Sequence, residues 1–200
     1  MPLIWQCDLS KTTEIESSLG AWILDNEVSI SGFVHSAGVM KMFPLRSLSV
    51  DNLDEVYSVN VFAPAMIVKT LNSKRINGKN LRSVVFISSN ISNRGAASFS
   101  VYGSSKSALD GLMRNLSVEL APSVRVNSIL PGGMITEMTK EIFSDDSRKR
   151  EIEKSYPLGI GTPEDIAPSV AFLLSDDAGW ITGQQITVDG GRVVDITERG

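Results

Sequence analysis

Cysteine is almost missing from this 200-residue chain: Cys7 is the only one, which excludes an intramolecular disulfide and any thiolate metal cluster. Histidine is equally scarce. His35 stands alone, so no histidine set is available to bind a metal, no metal is expected, and a hydrogen-bonded structural role is the simpler reading for it. Apolar runs such as Val84–Ile87 and Ala171–Leu174 fall far short of the roughly 20 residues that a spanning helix needs, so no membrane partner is expected. Charge of one sign is not in excess either. With 19 basic and 23 acidic residues the net charge is −4, leaving no surplus to neutralise a phosphate backbone, and nucleic acid is not an expected partner. The opening residues Met1–Asp8 carry neither a basic segment nor a long hydrophobic stretch, so a secretory leader is not expected, and the single cysteine fits a reducing, cytoplasmic setting. There is no repeat of 20–50 residues and no low-complexity linker, which leaves residues 1–200 as one domain.

What the chain does have is a rhythm. Short apolar runs alternate with longer amphipathic segments, the pattern of βαβ units in an α/β fold with a mostly parallel sheet. The strands predicted are Leu3–Cys7, Ser31–His35, Ser83–Ser88, Val124–Leu130 and Gln185–Val188. Val84-Val85-Phe86-Ile87 is continuously apolar, as a strand covered on both faces must be, and belongs in the middle of the sheet. Helices are expected around Ile15–Ile23, with Thr12 or Thr13 as cap, across Asp51–Leu71 and across Ser104–Leu120. Pro64 lacks a backbone donor and is expected to bend the second of these just after Asn60. Thr162-Pro163-Glu164-Asp165 signals another helix start, and Pro168 is expected to distort that helix. The mixed-sign stretch Asp145–Lys154 reads as a solvated helix face or as a mobile lid over a site.

Tyr102 and Lys106 lie four residues apart at a helix start and therefore share a face. An ordinary tyrosine titrates near about 10 and a useful proton carrier nearer about 7, so the lysine charge is expected to acidify the phenol. Ser89 follows the apolar strand directly, and open α/β sheets bind ligands outside the carboxyl ends of their parallel strands. Pro131-Gly132-Gly133 ends the next strand, either as an ordinary turn or as a place where a ligand comes close to bare backbone.

Taken in this order, these pieces resemble the short-chain dehydrogenase/reductases. Tyr102-Gly-Ser-Ser-Lys106 is similar to that family's Y-x-x-x-K, with Ser89 thirteen residues ahead as its serine. Asn60 in Ser58-Val59-Asn60-Val61 resembles the family's asparagine, Ala37-Gly38 the end of its N-N-A-G turn, and Pro131-Gly132-Gly133-Met134-Ile135-Thr136 its P-G-x-x-x-T segment. Ile181-Thr182-Gly183-Gln184 and Val188-Asp189-Gly190-Gly191 are similar to its carboxyl-terminal motifs.

The resemblance implies a three-layer, Rossmann-like fold and an oxidoreductase that interconverts a carbonyl and an alcohol with NAD or NADP. Tyr102 would be the general acid/base, Lys106 its partner and a ribose ligand, Ser89 the group that orients the substrate oxygen, and Asn60 the holder of a water linked to Lys106. Cofactor contacts would come from Asp8, Leu9, Ala37, Gly38, Tyr102, Lys106, Pro131, Gly132, Met134 and Thr136. The substrate would be a small carbonyl or alcohol, shaped by Glu137–Tyr156, and the assembly a homo-dimer or homo-tetramer built on the two long helices.

Two departures are visible. His35-Ser36 stands where the family has Asn-Asn, and no T-G-x-x-x-G-x-G occurs, because Leu3–Cys7 matches the family's third strand. The implied fold thus lacks the first βαβ elements. Losing two hydrogen bonds to a pyrophosphate would weaken cofactor binding by about 3–6 kcal/mol, so the alternative expectation is a non-catalytic interaction module. Leu3–Cys7 is expected either to pair with Ser31–His35 or to leave an edge open.

Overall fold

A computed structural model describes residues 2–195. Four parallel strands, β1 (Gly32–His35), β2 (Ser83–Ile87), β3 (Arg125–Pro131) and β4 (Gln185–Val188), lie side by side in chain order. The register pairs Val34 with Val85, Val85 with Asn127 and Ile129 with Ile186, so all four carboxyl ends open on the same rim. The helices are α1 (Ile15–Asp25), α2 (Val50–Tyr57), α3 (Ala63–Leu71), α4 (Lys74–Asn77), α5 (Ser100–Glu119), α6 (Asp146–Lys154) and α7 (Pro163–Leu174).

Period-two alternation decides which layer each strand residue faces. Val84, Phe86 and Val126 join Ile15, Leu19, Ile23, Ile67, Leu109 and Met113 in one core under α1, α3 and α5. Val85 and Ile129 join Ile166, Leu173 and Ala178 in a second core under α7. Helices therefore cover both faces, and Ser83 to Phe86 of β2 are buried, as their continuous apolar character requires.

Leu3–Cys7 is not a strand. Among the described residues β1 pairs only with β2, so this segment has no ladder to join and the outer edge of β1 stays open. An apolar pentapeptide without a backbone partner packs by its side chains instead: Trp5 and Cys7 lean on the first core, and the Trp22 indole donates to the Ile4 carbonyl at 3.0 Å.

Two prolines behave differently from expectation. Pro168 leaves α7 unbroken, since the carbonyl it deprives of a helical donor, that of Glu164, sits in the exposed first turn. Around Pro64 the long helix widens rather than simply bending: Ser58–Phe62 forms a π-helical turn between α2 and α3, with Ala63 N–H bonded to the Ser58 carbonyl. In that register the donor absent from Pro64 is the one that would have met Val59, and the Val59 carbonyl takes a hydrogen bond from the His35 Nε2 instead, at 3.2 Å. Because a carbonyl only accepts, the His35 Nε2 carries the proton.

Candidate active site

Helix α5 runs antiparallel to the strands and lays one buried stripe, Tyr102, Ser105, Lys106, Leu109 and Asp110, against the sheet and the π-helical turn. Long side chains on a helix lean toward its N-terminus. Lys106 accordingly reaches the rim, where its Nζ donates to the Ile87 carbonyl at 2.8 Å, the last residue of β2. The Ser88 hydroxyl ties the same strand end to the Lys106 carbonyl at 3.4 Å.

A cavity of about 480 Å³ opens at this rim, lined by Gly38, Ser89, Tyr102, Lys106, Pro131, Gly132, Met134 and Thr136 among others. Eight residues singled out from the sequence thus meet in one place. Ala37 is exposed beside Gly38, outside the lining. Asp8 and Leu9 do not reach it: the Asp8 carboxylate is exposed and accepts from the Ser10 amide and hydroxyl at 3.0 and 2.7 Å, which holds its pKa below the usual value, and Leu9 leans on the first core.

Asn60 stands behind the cavity, fully buried. Its Oδ1 accepts from Val39 N–H at 2.8 Å, and its Nδ2 donates to the Val39 carbonyl at 3.0 Å and to the Ser105 hydroxyl at 2.9 Å. Both amide protons are engaged, so the side chain clamps the strand-end turn to α5, and any water it holds must lie on its backbone or on the remaining Oδ1 lone pair. Gly38 sits inside this clamp, where a Cβ would lie 3.4 Å from Asn60 Oδ1 and 3.6 Å from Lys106 Nζ.

Electrostatics depart from the sequence reading at Tyr102. The expected acidification by Lys106 is not built: burial pushes the phenol above its ordinary value, and the neighbouring Ser89 hydroxyl offsets only part of this. The ammonium lies 5.8 Å from the centre of the tyrosine ring, directed at the Ile87 carbonyl rather than at the hydroxyl. Burial acts on Lys106 too and lowers it to about 8, against the opposing pull of the nearby Asp110 charge. Asp110 is buried one turn further along α5, and neither carboxylate oxygen has a hydrogen-bond partner among the described residues. Asp110→Asn removes that charge, and Lys106 is expected to titrate below about 8, an outcome read by NMR of the lysine side chain.

His35 takes up its proton at lower pH than a free histidine. Burial, and next the Lys106 charge, lower it to about 4 from 6.5. Below pH 6.5 the unfolded chain takes a proton that the folded chain refuses, so this stability is complete above pH 6.5 and is lost as pH falls toward 4. The expected loss between pH 7 and pH 4 is about 3 kcal/mol. Urea unfolding at several pH values checks it, and His35→Phe should flatten the slope.

The chemistry of this rim fits the nicotinamide end of a dinucleotide. Lys106 would offer ammonium protons to a ribose diol, and Ile87 and Met134 would offer apolar surface to a flat ring; Gly132 is bare for a structural reason, since a Cβ there would come within 2.9 Å of Asp189 Cβ and Tyr156 Cε1. The far wall of the cavity is formed by Phe99, Met138, Ile142, Phe143, Ile152 and Tyr156; all but Phe99 fall in the segment Glu137–Tyr156 expected to shape the substrate, but sequence reading singled out none of them individually. Its only signal was a few apolar residues without helical or strand period.

Known proteins resemble this chain in sequence and in fold. The family described as enoyl-(acyl carrier protein) reductase matches residues 2–192. The vibriobactin-specific 2,3-dihydro-2,3-dihydroxybenzoate dehydrogenase of Vibrio cholerae is 30% identical over 94% of this chain and 75% of its own length. The L-rhamnose 1-dehydrogenase (NADP(+)) of Thermoplasma acidophilum is 32% identical over 82% of this chain, which spans 65% of that relative. Among solved structures, 4-hydroxyisoleucine dehydrogenase complexed with NADH superposes with a TM-score of 0.88 at 30% identity, covering 95% of this chain and 79% of that one. The chain belongs to the short-chain dehydrogenase/reductase family of NAD(P)-dependent oxidoreductases.

Proposed function

We propose that this chain interconverts a carbonyl and an alcohol with NAD or NADP, using Tyr102 as the proton carrier. The observation that carries this reading is the meeting of Ser89, Tyr102 and Lys106 on one cavity at the carboxyl ends of the strands. A bound nicotinamide supplies or receives the hydride. The protein supplies position and a proton: Ser89 and the Tyr102 hydroxyl line the same cavity, at the place where a carbonyl oxygen would sit, and proton donation there stabilises charge that grows only in the transition state. Lys106, anchored on the Ile87 carbonyl, holds the ribose side and stays mostly charged at pH 7 with its pKa of about 8.

A phenol held above its ordinary pKa is protonated at neutral pH. It is therefore ready to give a proton, which favours reduction, while alcohol oxidation needs the phenolate and should accelerate about tenfold per pH unit on the alkaline side until the phenol titrates. The test is consumption of NADH or NADPH at millimolar concentration across a panel of ketones and aldehydes. Absence of cofactor binding and turnover under those conditions defeats this reading in favour of a non-catalytic module.

For partners we propose a second copy of this chain on the α2–α3 and α5 faces, where Val50, Phe62 and Val118 are exposed apolar residues. Sizing chromatography should give a dimer or tetramer.

A further inference from the structure

The walls of the cavity divide into one polar spot and a hydrocarbon remainder. Phe99, Met138, Ile142, Phe143 and Ile152 supply side chains from the loop before α5, the segment after β3 and helix α6. Most of the polar groups between them have partners inside the protein, the Ser36 hydroxyl and the Tyr156 hydroxyl proton being the exceptions among the described residues. Thr136 and Thr139 share a hydrogen bond at 3.0 Å, and Thr139 also donates to the Met134 carbonyl. The Tyr156 hydroxyl accepts from Gly133 N–H at 2.8 Å, and the Asn90 amide donates to the Asp189 carboxylate at 3.4 Å. Besides Lys106 the only charged residue on the lining, among the described residues, is Glu137, whose side chain is 90% exposed and paired with Lys140.

A substrate rich in hydroxyl groups gives up water on entering and finds few replacements in such a cavity. Each hydroxyl left without a partner costs roughly tenfold in affinity. A carboxylate or phosphate finds no cation other than Lys106 among the described residues of the lining. A methylene placed against these side chains gains about fourfold in affinity.

We infer that the substrate is an uncharged ketone or secondary alcohol whose bulk beyond the reacting carbon is hydrocarbon, selected by Phe99, Met138, Ile142, Phe143 and Ile152. The inference rests on the carbonyl reading of the Ser89–Tyr102 pair for which end of the molecule enters first. It gives α6 a use: Ile152 is the one apolar residue in a charged helix, and it is the residue that this helix presents to the cavity.

The experiment uses the full chain and a homologous series of 2-alkanones from 2-butanone to 2-decanone, with L-rhamnose as the polar comparator. Binding is followed by saturation-transfer NMR and turnover by nicotinamide absorbance, so the two readings can fail separately. The expected result is affinity that rises about two- to fourfold per methylene until the cavity fills, with L-rhamnose at least about a hundredfold weaker than the best ketone. Ile152→Asn should flatten the rise and Ile152→Met should preserve it. A rising series without turnover supports the hydrocarbon pocket and defeats the carbonyl reading. Affinity that does not depend on chain length, or turnover of L-rhamnose equal to that of the ketones, overturns the inference whatever the catalytic outcome.

Discussion

Tyr102→Phe is expected to lower kcat for carbonyl reduction by about 10²–10⁴-fold while changing cofactor Kd by no more than about twofold. The asymmetry comes from where the hydroxyl stands. The ring is buried, packs edge-on against Phe99 at 6.2 Å between centres and lies near the Lys106 ammonium, and all of this is kept by phenylalanine. Only the hydroxyl, the proton donor facing the cavity, is removed. Because that group meets the substrate oxygen most strongly as charge develops, its loss falls on kcat rather than on binding. Steady-state kinetics together with a cofactor titration separate the two. An equal fall in cofactor affinity would mean that the mutation disturbed the site as a whole.

The second large effect is structural. Asn60→Ala should destabilise the fold by about 2–3 kcal/mol, because it strands the Val39 amide and the Val39 carbonyl and takes a donor from the Ser105 hydroxyl, which keeps its own bond to the Tyr102 carbonyl at 2.7 Å. The same clamp sets the position of Gly38 against Lys106, so cofactor affinity should fall as well. Denaturant unfolding measures the first consequence and cofactor titration the second. Asn60→Asp tests the donor side alone: it retains an acceptor for Val39 N–H but removes the two donors that Val39 and Ser105 use.

Much of this architecture was legible from residues. The continuous apolar run of β2 implied burial on both faces, and the bounds Gln185–Val188 of β4 coincide with those read from the sequence. Leu3–Cys7 misled for a definite reason: apolar character marks a segment as wanting burial, but a strand also needs a neighbouring backbone, and that is a long-range property. The spacing of Tyr102 and Lys106 correctly implied a shared helix face. It carried no information on the direction of the lysine, which the Ile87 carbonyl decides, or on burial, which pushes the phenol up rather than down.

His35 and Pro64 illustrate a coupling that neither residue announces alone. A proline removes one donor, the widened turn passes the vacancy to Val59, and a histidine from the adjacent strand fills it. The cavity wall was the least legible part of the site. Ile142, Phe143 and Ile152 fall in a segment with mixed charge, where a lone apolar residue gives no period to read. The remaining candidates, Asp8 and Leu9, lie away from the cavity because the turn that carries them closes on Ser10 and on the core.

The most direct measurement is the fate of deuterium placed at both C4 hydrogens of NADH or NADPH during reduction of a 2-alkanone by the full chain. Transfer of the label to the carbinol carbon of the product, to one face only, is the predicted result. Product formed without the label, or with it scrambled to solvent, would contradict hydride delivery at the Ser89–Tyr102–Lys106 cavity.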